Sequence, residues 1–124
     1  MFYYFIINPS SSSGKHKTLW REIKEQLEKE EINYKIAATK KTGDAKRLAR
    51  EASLQVSETN PCTIVAIGGD GTVNEVVNGL ILSPFLSFGY IPTGSGNDLA
   101  RGLGLSKEPL EALAFILHPK EKKA

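Results

Sequence analysis

The stretch AIGGDGTVNEVVNG, residues 66–79, places glycines at 68, 69 and 71 directly after an apolar run and before a segment of helical period. Glycine permits positive φ angles and lets backbone amides approach a ligand with no Cβ in the way. The N-terminus of a following helix adds unpaired N–H groups and a partial positive charge, so the stretch predicts a phosphate-binding loop. Asp70 would place a carboxylate beside that phosphate, which is unfavourable unless it meets magnesium or orders the loop's own amides.

Three further turns of unusual composition follow apolar runs of strand length: NPSSSSGK from Asn8, TKKTG from Thr39 and PTGSGND from Pro92. If the strands are parallel, all four turns lie at the same edge of the sheet. Ligands of open α/β sheets bind at that edge, outside the carboxyl ends of the strands. The sequence therefore predicts one site assembled from four turns.

The elements that position these turns alternate between strand-length apolar runs and segments of helical period, a pattern typical of parallel sheets with right-handed crossovers. We expect one three-layer α/β/α domain, because 124 residues with 40% hydrophobic content form a single core. Asp44 is expected to cap the second helix, and Trp20 is expected to lie in the core. The predicted strands are 2–7, 34–38, 63–67 and 86–91, and the predicted helices are 18–30, 44–56, one through 73–81 and 109–117.

Charge and cysteine usage limit the partners and the location. The chain carries 16 basic and 14 acidic side chains with a net charge of +2, far from the basic stripe of duplex-binding proteins, so we expect no nucleic-acid partner. The one cysteine, Cys62, begins an apolar run and predicts a buried thiol in a reducing compartment, so a cytoplasmic protein is expected.

Two common phosphate motifs are excluded. Residues 9–16 have the length of a Walker A loop, but Pro9 replaces its first glycine and His16 replaces the serine or threonine that would hold magnesium. A dinucleotide fingerprint needs G-x-G-x-x-G after the first strand and an acid at the end of the second, where this chain has serines and then Ala37, Ala38 and Thr39. NAD bound in the Rossmann manner is therefore not expected.

The chain resembles the diacylglycerol kinase catalytic family over its whole length. NPSSSSGK is similar to that family's N-P-x-[SA]-G-x-G-[KR] start, with Ser12 where the family often has glycine, and Thr39 falls where the family has a nucleotide-contacting threonine. GGDGTVNEVVNGL and IPTGSGNDLARGLGL are close to its signature stretches. NAD kinases and phosphofructokinases share a similar glycine-aspartate loop, and the resemblance implies their mainly parallel, Rossmann-like α/β sheet, but TVNEVVNG and GSGNDLAR resemble the lipid-kinase branch.

The resemblance implies a site for ATP and Mg²⁺. Asp70 and Asp98 would have supporting roles in catalysis, while the general base would lie in a β-rich second domain that the family carries and that residues 1–124 lack. The implied nucleotide-binding residues are Asn8, Pro9, Ser10, Ser11, Ser12, Ser13, Gly14, Lys15, Thr39, Gly68, Gly69, Asp70, Gly71, Thr72, Asn74, Glu75, Gly94, Ser95, Gly96 and Asn97.

The implied function is transfer of the γ-phosphoryl group of ATP to the hydroxyl of diacylglycerol or a related lipid, with transient peripheral contact with the membrane. Asp98 favours a glycerolipid, because sphingosine kinases typically carry alanine at the matching position. Residues 1–124 alone are expected to bind nucleotide weakly, to transfer nothing to lipid, and to expose apolar surface that favours self-association.

Two functions of other classes stay open: a kinase for a soluble substrate, resembling NAD kinase, and a non-catalytic nucleotide-binding module. Simpler roles for single residues also stay open. Asp70 and Asp98 are candidate helix caps, Asn74 and Glu75 suit a polar helix face, and the Lys40–Lys41 pair suits a solvated surface.

Overall fold

Four strands and four helices alternate along the chain in the computed structural model, which describes residues 1–9, 15–93 and 109–118, with side chains in the first helix described from residue 18. The strands are β1 (Phe2–Ile7), β2 (Asn33–Ala38), β3 (Cys62–Gly68) and β4 (Leu86–Pro92). The helices are α1 (Lys15–Lys29), α2 (Asp44–Ser53), α3 (Asp70–Gly79) and α4 (Pro109–Leu117). Each predicted element is present, and its bounds differ from the prediction by three residues or fewer.

The four strands form one parallel sheet in the order β2-β1-β3-β4. Phe5 of β1 lies opposite Ile36 of β2 on one side and Val65 of β3 on the other. The connection from β2 to β3 therefore crosses β1, while β4 adds next to β3. The predicted parallel α/β sheet is confirmed.

Helices cover both faces of the sheet. Ile6, Ile64 and Ala66 point to the face covered by α2 and α3, where they join one buried cluster. Their chain neighbours, such as Phe5 and Val65, point to the face covered by α1 and α4 and join a second cluster. Because both faces are covered, every residue of β3 is buried, which is typical of a central parallel strand. The three-layer arrangement follows from these two clusters.

Trp20 and Cys62 lie where the sequence predicts. Trp20 is half-buried on α1 and meets the buried ring of Phe5 edge-on, with ring centroids 6.4 Å apart. The Cys62 side chain is 5% exposed, and burial raises the pKa of its thiol. The buried face of α3 is narrower than predicted. Val73 and Val76 are buried, whereas Val77 is 49% exposed and Ile81, just beyond the helix, is 40% exposed.

Helices α2 and α3 pack closely, and Gly79 allows this approach. A Cβ at Gly79 would lie against the backbone carbonyl oxygen of Lys46 and 3.1 Å from the Cβ of Ala49. The contact fixes the C-terminal end of α3 against the first turns of α2.

Candidate functional site

A cavity of about 400 Å³ opens at the carboxyl edge of the sheet. One wall comes from the turn between β2 and α2, and the other comes from the turn after β3 and the first turn of α3. The end of β1 closes the cavity between them. Its lining residues are Asn8, Thr39, Lys40, Lys41, Thr42, Ala45, Gly69, Gly71, Thr72 and Glu75.

Backbone hydrogen bonds continue the sheet beyond the strand ends and place the turns at one level. The N–H of Asn8 donates to the carbonyl of Ile67 at 3.2 Å, and the N–H of Thr39 donates to the carbonyl of Ile7 at 2.9 Å. On the other side, the N–H of Thr93 donates to the carbonyl of Gly68 at 3.1 Å. The predicted meeting of these turns at one sheet edge is therefore present in the described part of the chain.

The cavity lies at the topological switch point of the sheet. The chain leaves β1 toward α1 on one face and leaves β3 toward α3 on the other face. A crevice forms where neighbouring strands send their connections in opposite directions, and open α/β proteins bind ligands there. Asn8 and Gly69 follow these two strands directly and line the cavity.

The glycines of the third turn create space, but they do not use positive φ angles. Gly69 has φ −90° and ψ −168°, and among the described glycines only Gly43 has a positive φ, at 95°. The predicted positive φ at Gly68, Gly69 and Gly71 is therefore wrong. A Cβ added at Gly69 or Gly71 would have no neighbouring atom within 4 Å, so their missing side chains leave the cavity wall open.

Gly68 has a different role, because a Cβ there would lie 2.7 Å from the hydroxyl oxygen of Thr72. Its missing side chain lets the buried Thr72 fold back against the end of β3. This packing sets the sharp change of direction between the strand and α3. The first turn of the helix then faces the cavity.

Helix α3 begins at the cavity without a side-chain cap. Gly69 is its N-cap residue, no side chain hydrogen-bonds to the cap, and the N–H of Val73 donates to the carbonyl of Gly69 at 3.2 Å. The N–H groups before Val73 have no intrahelical acceptor, as in any α-helix, and they carry the positive end of the helix dipole. This end suits an anion.

Asp70 occupies the first position of α3, so it is not the N-cap of the helix and the simple capping role is wrong. Its Oδ1 is buried and has no hydrogen-bond partner in the described part of the chain. An orphaned carboxylate oxygen is costly to bury, and it is the ligand type that Mg²⁺ prefers. Within residues 1–9, 15–93 and 109–118, no three His, Cys, Asp or Glu side chains group as a metal site, so Asp70 would supply one ligand among phosphate and water oxygens.

Asp44 orders the turn between β2 and α2. Gly43, not Asp44, is the N-cap of α2, so the predicted cap is wrong. The Asp44 carboxylate instead accepts hydrogen bonds from the N–H groups of Lys40 at 2.8 Å and Lys41 at 3.1 Å. The bond from Lys40, followed by that from Lys41, holds the pKa of Asp44 below its ordinary value of 3.8, against the opposing effect of burial. This residue does not line the cavity, but it shapes the wall that Lys40 and Lys41 form.

Glu75 joins the two walls of the cavity. Its Oε1 accepts a hydrogen bond from the N–H of Gly43 at 3.0 Å, across 32 positions of the sequence. The assignment of Glu75 to a polar helix face missed this contact, because no local pattern marks a partner so far away in the chain.

Two positive side chains, Lys40 and Lys41, are exposed as a solvated pair would be, yet they also line the cavity.

Some predicted site residues lie elsewhere or outside the described residues. Pro9 and Asn74 are exposed and do not line the cavity, and Gly68 and Asp70, on either side of Gly69, do not line it either. The side chain of Lys15 is outside the described part. The remaining predicted residues that fall outside the described ranges are Ser10, Ser11, Ser12, Ser13, Gly14, Gly94, Ser95, Gly96, Asn97 and Asp98. Asn8, Thr39, Gly69, Gly71, Thr72 and Glu75 are brought together around one cavity.

A parallel sheet covered on both faces, with its cavity at the switch point, defines a doubly wound α/β protein. The family model of the diacylglycerol kinase catalytic domain matches residues 3–124, so the chain belongs to that family. A solved structure of a diacylglycerol kinase from Bacillus anthracis str. Sterne is similar with a TM-score of 0.76 at 33% identity, covering 92% of this chain and 38% of that one. Both the predicted fold class and the family resemblance are confirmed.

Curated relatives agree with this family. A diacylglycerol kinase of Bacillus subtilis (strain 168) is 39% identical over 106 residues, which are 85% of this chain and 34% of the relative. A diacylglycerol kinase of Staphylococcus saprophyticus is 37% identical over 113 residues, 90% of this chain and 36% of the relative. The chain thus spans about a third of the length of these relatives.

Proposed function

We propose that this chain binds ATP in the cavity and serves as the nucleotide-binding part of a lipid kinase. The observation that carries the proposal is the uncapped N-terminus of α3, which opens through Gly69 and Gly71 onto a cavity at the switch point. Helix N-termini at such positions bind phosphate through backbone N–H groups. Membership of a kinase family supports a nucleoside triphosphate as the ligand.

The phosphate groups are proposed to lie over the first turn of α3. Asn8 and Thr39 on the neighbouring strand ends then contact the rest of the nucleotide, and Lys40 and Lys41 offset its negative charge. One charge-assisted hydrogen bond contributes about 1.5–3 kcal/mol, whereas micromolar binding needs about 8 kcal/mol, so several turns must contribute. Contributions from residues 10–15 and 94–97 are part of the proposal and rest on the family motifs.

Magnesium is proposed to bind between the nucleotide phosphates and Asp70. The buried and unpartnered Oδ1 of Asp70 supports this position, because a bound cation would supply the missing partner. A Mg²⁺ ion held there would neutralise charge that develops during phosphoryl transfer. The chain's own part is to hold the triphosphate still through the turn at residues 68–72. Asp98 is proposed to support catalysis from the fourth turn, on family resemblance alone.

The proposed acceptor is the hydroxyl group of diacylglycerol or a related lipid. Relatives of this chain are named diacylglycerol kinases, which supports a lipid acceptor here. A lipid acceptor requires contact with a membrane surface. We propose that this contact is transient and peripheral, at the cytoplasmic side. No helix within the described residues combines the length and apolar character needed to cross a bilayer.

The experiment is an NMR titration of the ¹⁵N-labelled chain with Mg-ATP. We expect the amide signals of residues 68–72 and Thr39 to shift strongly, together with residues 10–15 and 94–98. Signals of Tyr3 and Ile64, in the strand interiors, should move little. Shifts confined to the lysine-rich segment 120–123 would indicate non-specific electrostatic binding and would contradict the proposal.

A further inference from the structure

We infer that Glu75 is a positioning residue: its carboxylate holds the β2–α2 turn at a fixed distance from α3 and so sets the width of the nucleotide cavity. This inference rests on the proposed function, because it assigns Glu75 an action on nucleotide binding through Gly43. The observation behind it is the hydrogen bond from the Gly43 N–H to Glu75 Oε1 at 3.0 Å. No direct contact between Glu75 and the nucleotide is needed.

The bond lies between the two walls of the cavity. Thr39, Lys40, Lys41 and Thr42 form one wall, in the turn before α2, while Glu75 belongs to the other wall, on α3. Gly43 is the last residue of that turn and the N-cap of α2. A hydrogen bond from Gly43 to Glu75 therefore fixes one wall directly to the other.

Three other N–H groups of the turn have acceptors on their own side. The N–H of Thr39 donates to Ile7 of the adjacent strand, and those of Lys40 and Lys41 donate to the Asp44 carboxylate. These bonds shape the turn internally, but they do not set its distance from α3. The Gly43 bond supplies that constraint.

The conformation of Gly43 makes its N–H a sensitive point. With φ 95° and ψ −20°, Gly43 has the left-handed backbone that changes the direction of the chain just before α2 begins. No side chain caps this helix start. The hydrogen bond from the Gly43 N–H to Glu75 therefore fixes the orientation of the turn at the residue where the chain changes direction.

A carboxylate on the wall of an anion site would ordinarily weaken binding by repulsion. Positioning and repulsion predict opposite signs for the removal of Glu75. If repulsion dominates, loss of the carboxylate strengthens ATP binding, and if positioning dominates, it weakens ATP binding. The glutamine side chain separates charge from hydrogen bonding, because its amide oxygen still accepts from Gly43.

The test compares Glu75→Ala and Glu75→Gln with the unchanged chain. Mg-ATP affinity is measured by titration calorimetry, and the Gly43 amide is followed by NMR without nucleotide. We expect Glu75→Ala to weaken Mg-ATP binding about tenfold, and Glu75→Gln to stay within about threefold of the unchanged chain. Only Glu75→Ala should shift the Gly43 amide signal strongly and accelerate its hydrogen exchange.

Glu51→Ala and Glu51→Gln are matched controls, because they remove the same charge from an exposed carboxylate of α2 and should leave both measurements unchanged. Tighter binding by both Glu75 variants would overturn the inference in favour of repulsion. Equal weakening by both, with an unchanged Gly43 signal in the free protein, would overturn it in favour of direct contact. An unchanged chain that fails to bind Mg-ATP would instead overturn the proposed function, while the Gly43 signal would still decide whether Glu75 holds the turn.

Discussion

The buried hydroxyl of Tyr90 donates a hydrogen bond to the carbonyl of Gly68 at 3.1 Å. The same carbonyl also accepts the N–H of Thr93 at 3.1 Å. Gly68 is the last residue of β3, and the glycine turn of the candidate site follows it directly. The side chain of an adjacent strand thus fixes the point from which that turn departs.

Tyr90→Phe tests this relationship. We expect a loss of about 1 kcal/mol in the free energy of unfolding, because the buried hydrogen bond from Tyr90 to the Gly68 carbonyl is removed. The N–H of Thr93 still donates to that carbonyl. Urea denaturation measures the change. Tyr34→Phe is the control, since its hydroxyl makes an exposed 3.3 Å bond to Glu28, and its loss should cost close to nothing. Equal effects of the two variants would contradict the prediction.

Gly79→Ala should damage folding without acting on the cavity. The Lys46 carbonyl oxygen occupies the place of the new methyl group, so α2 and α3 must move apart, at an expected cost of about 1–3 kcal/mol. Gly69→Ala is the matched comparison, because its methyl group would meet no atom within 4 Å. Thermal unfolding should separate the two variants, and equal midpoints would show that the close helix contact has no energetic weight.

The sequence predicts most of the fold because its signals are local. Alternating strand-length runs and helical periods predict the eight elements of the described residues, and the buried Cys62 follows from its place in an apolar strand. The exposure of Val77 is not predictable in this way, because the helical period of apolar residues does not define how much of the helix surface packs against the sheet. Strand order likewise depends on contacts between residues far apart in the chain.

The sequence predicts the location of the candidate site more accurately than the contacts within it. Asn8 after β1 and the turns after β2 and β3 do surround one cavity, as the parallel-sheet pattern implied. Composition alone misassigned the glycines, because close approach and positive φ both favour glycine and only coordinates separate them. The Glu75–Gly43 bond has no sequence signature. Asp44 resembles an N-cap residue in the sequence, but it is the first residue of the helix and accepts a hydrogen bond from the turn before it.

Gly71→Val is expected to weaken Mg-ATP binding at least about tenfold while leaving the fold intact. The new Cβ would meet no atom within 4 Å from other parts of the described chain, and the valine side chain would fill space that the phosphate needs. Calorimetry measures the affinity and circular dichroism the fold. Asn78→Ala, an exposed change on the same helix, should bind normally. Normal Mg-ATP affinity in a folded Gly71→Val chain would show that the phosphate lies elsewhere.

Asp44→Asn should lower stability in a pH-dependent way. The pKa of Asp44 lies below its ordinary value of 3.8 in the folded chain, so its ionised form stabilises the fold above that value and this contribution is lost as the pH falls through the folded pKa. The urea midpoint of the variant should therefore be lower than that of the unchanged chain at about pH 6, with a difference that narrows below about pH 4. Gly69→Ala, which keeps Asp44, should show no such narrowing. A constant difference for Asp44→Asn would contradict the role of the Lys40 and Lys41 amides.

Residues 1–124 alone should bind Mg-ATP without phosphorylating lipid. The chain spans about a third of its kinase relatives, and phosphoryl transfer depends on holding the acceptor in line with the γ-phosphate. Such positioning supplies about 7–11 kcal/mol, so its loss would lower the rate by many orders of magnitude. The assay uses radiolabelled ATP, magnesium and diacylglycerol in mixed micelles, with the diacylglycerol kinase of Bacillus subtilis as the positive control and the Gly71→Val variant of residues 1–124 as the negative control. Strong lipid phosphorylation by residues 1–124 would place the general base within this chain, and Asp70 and Asp98 would then be the first residues to replace.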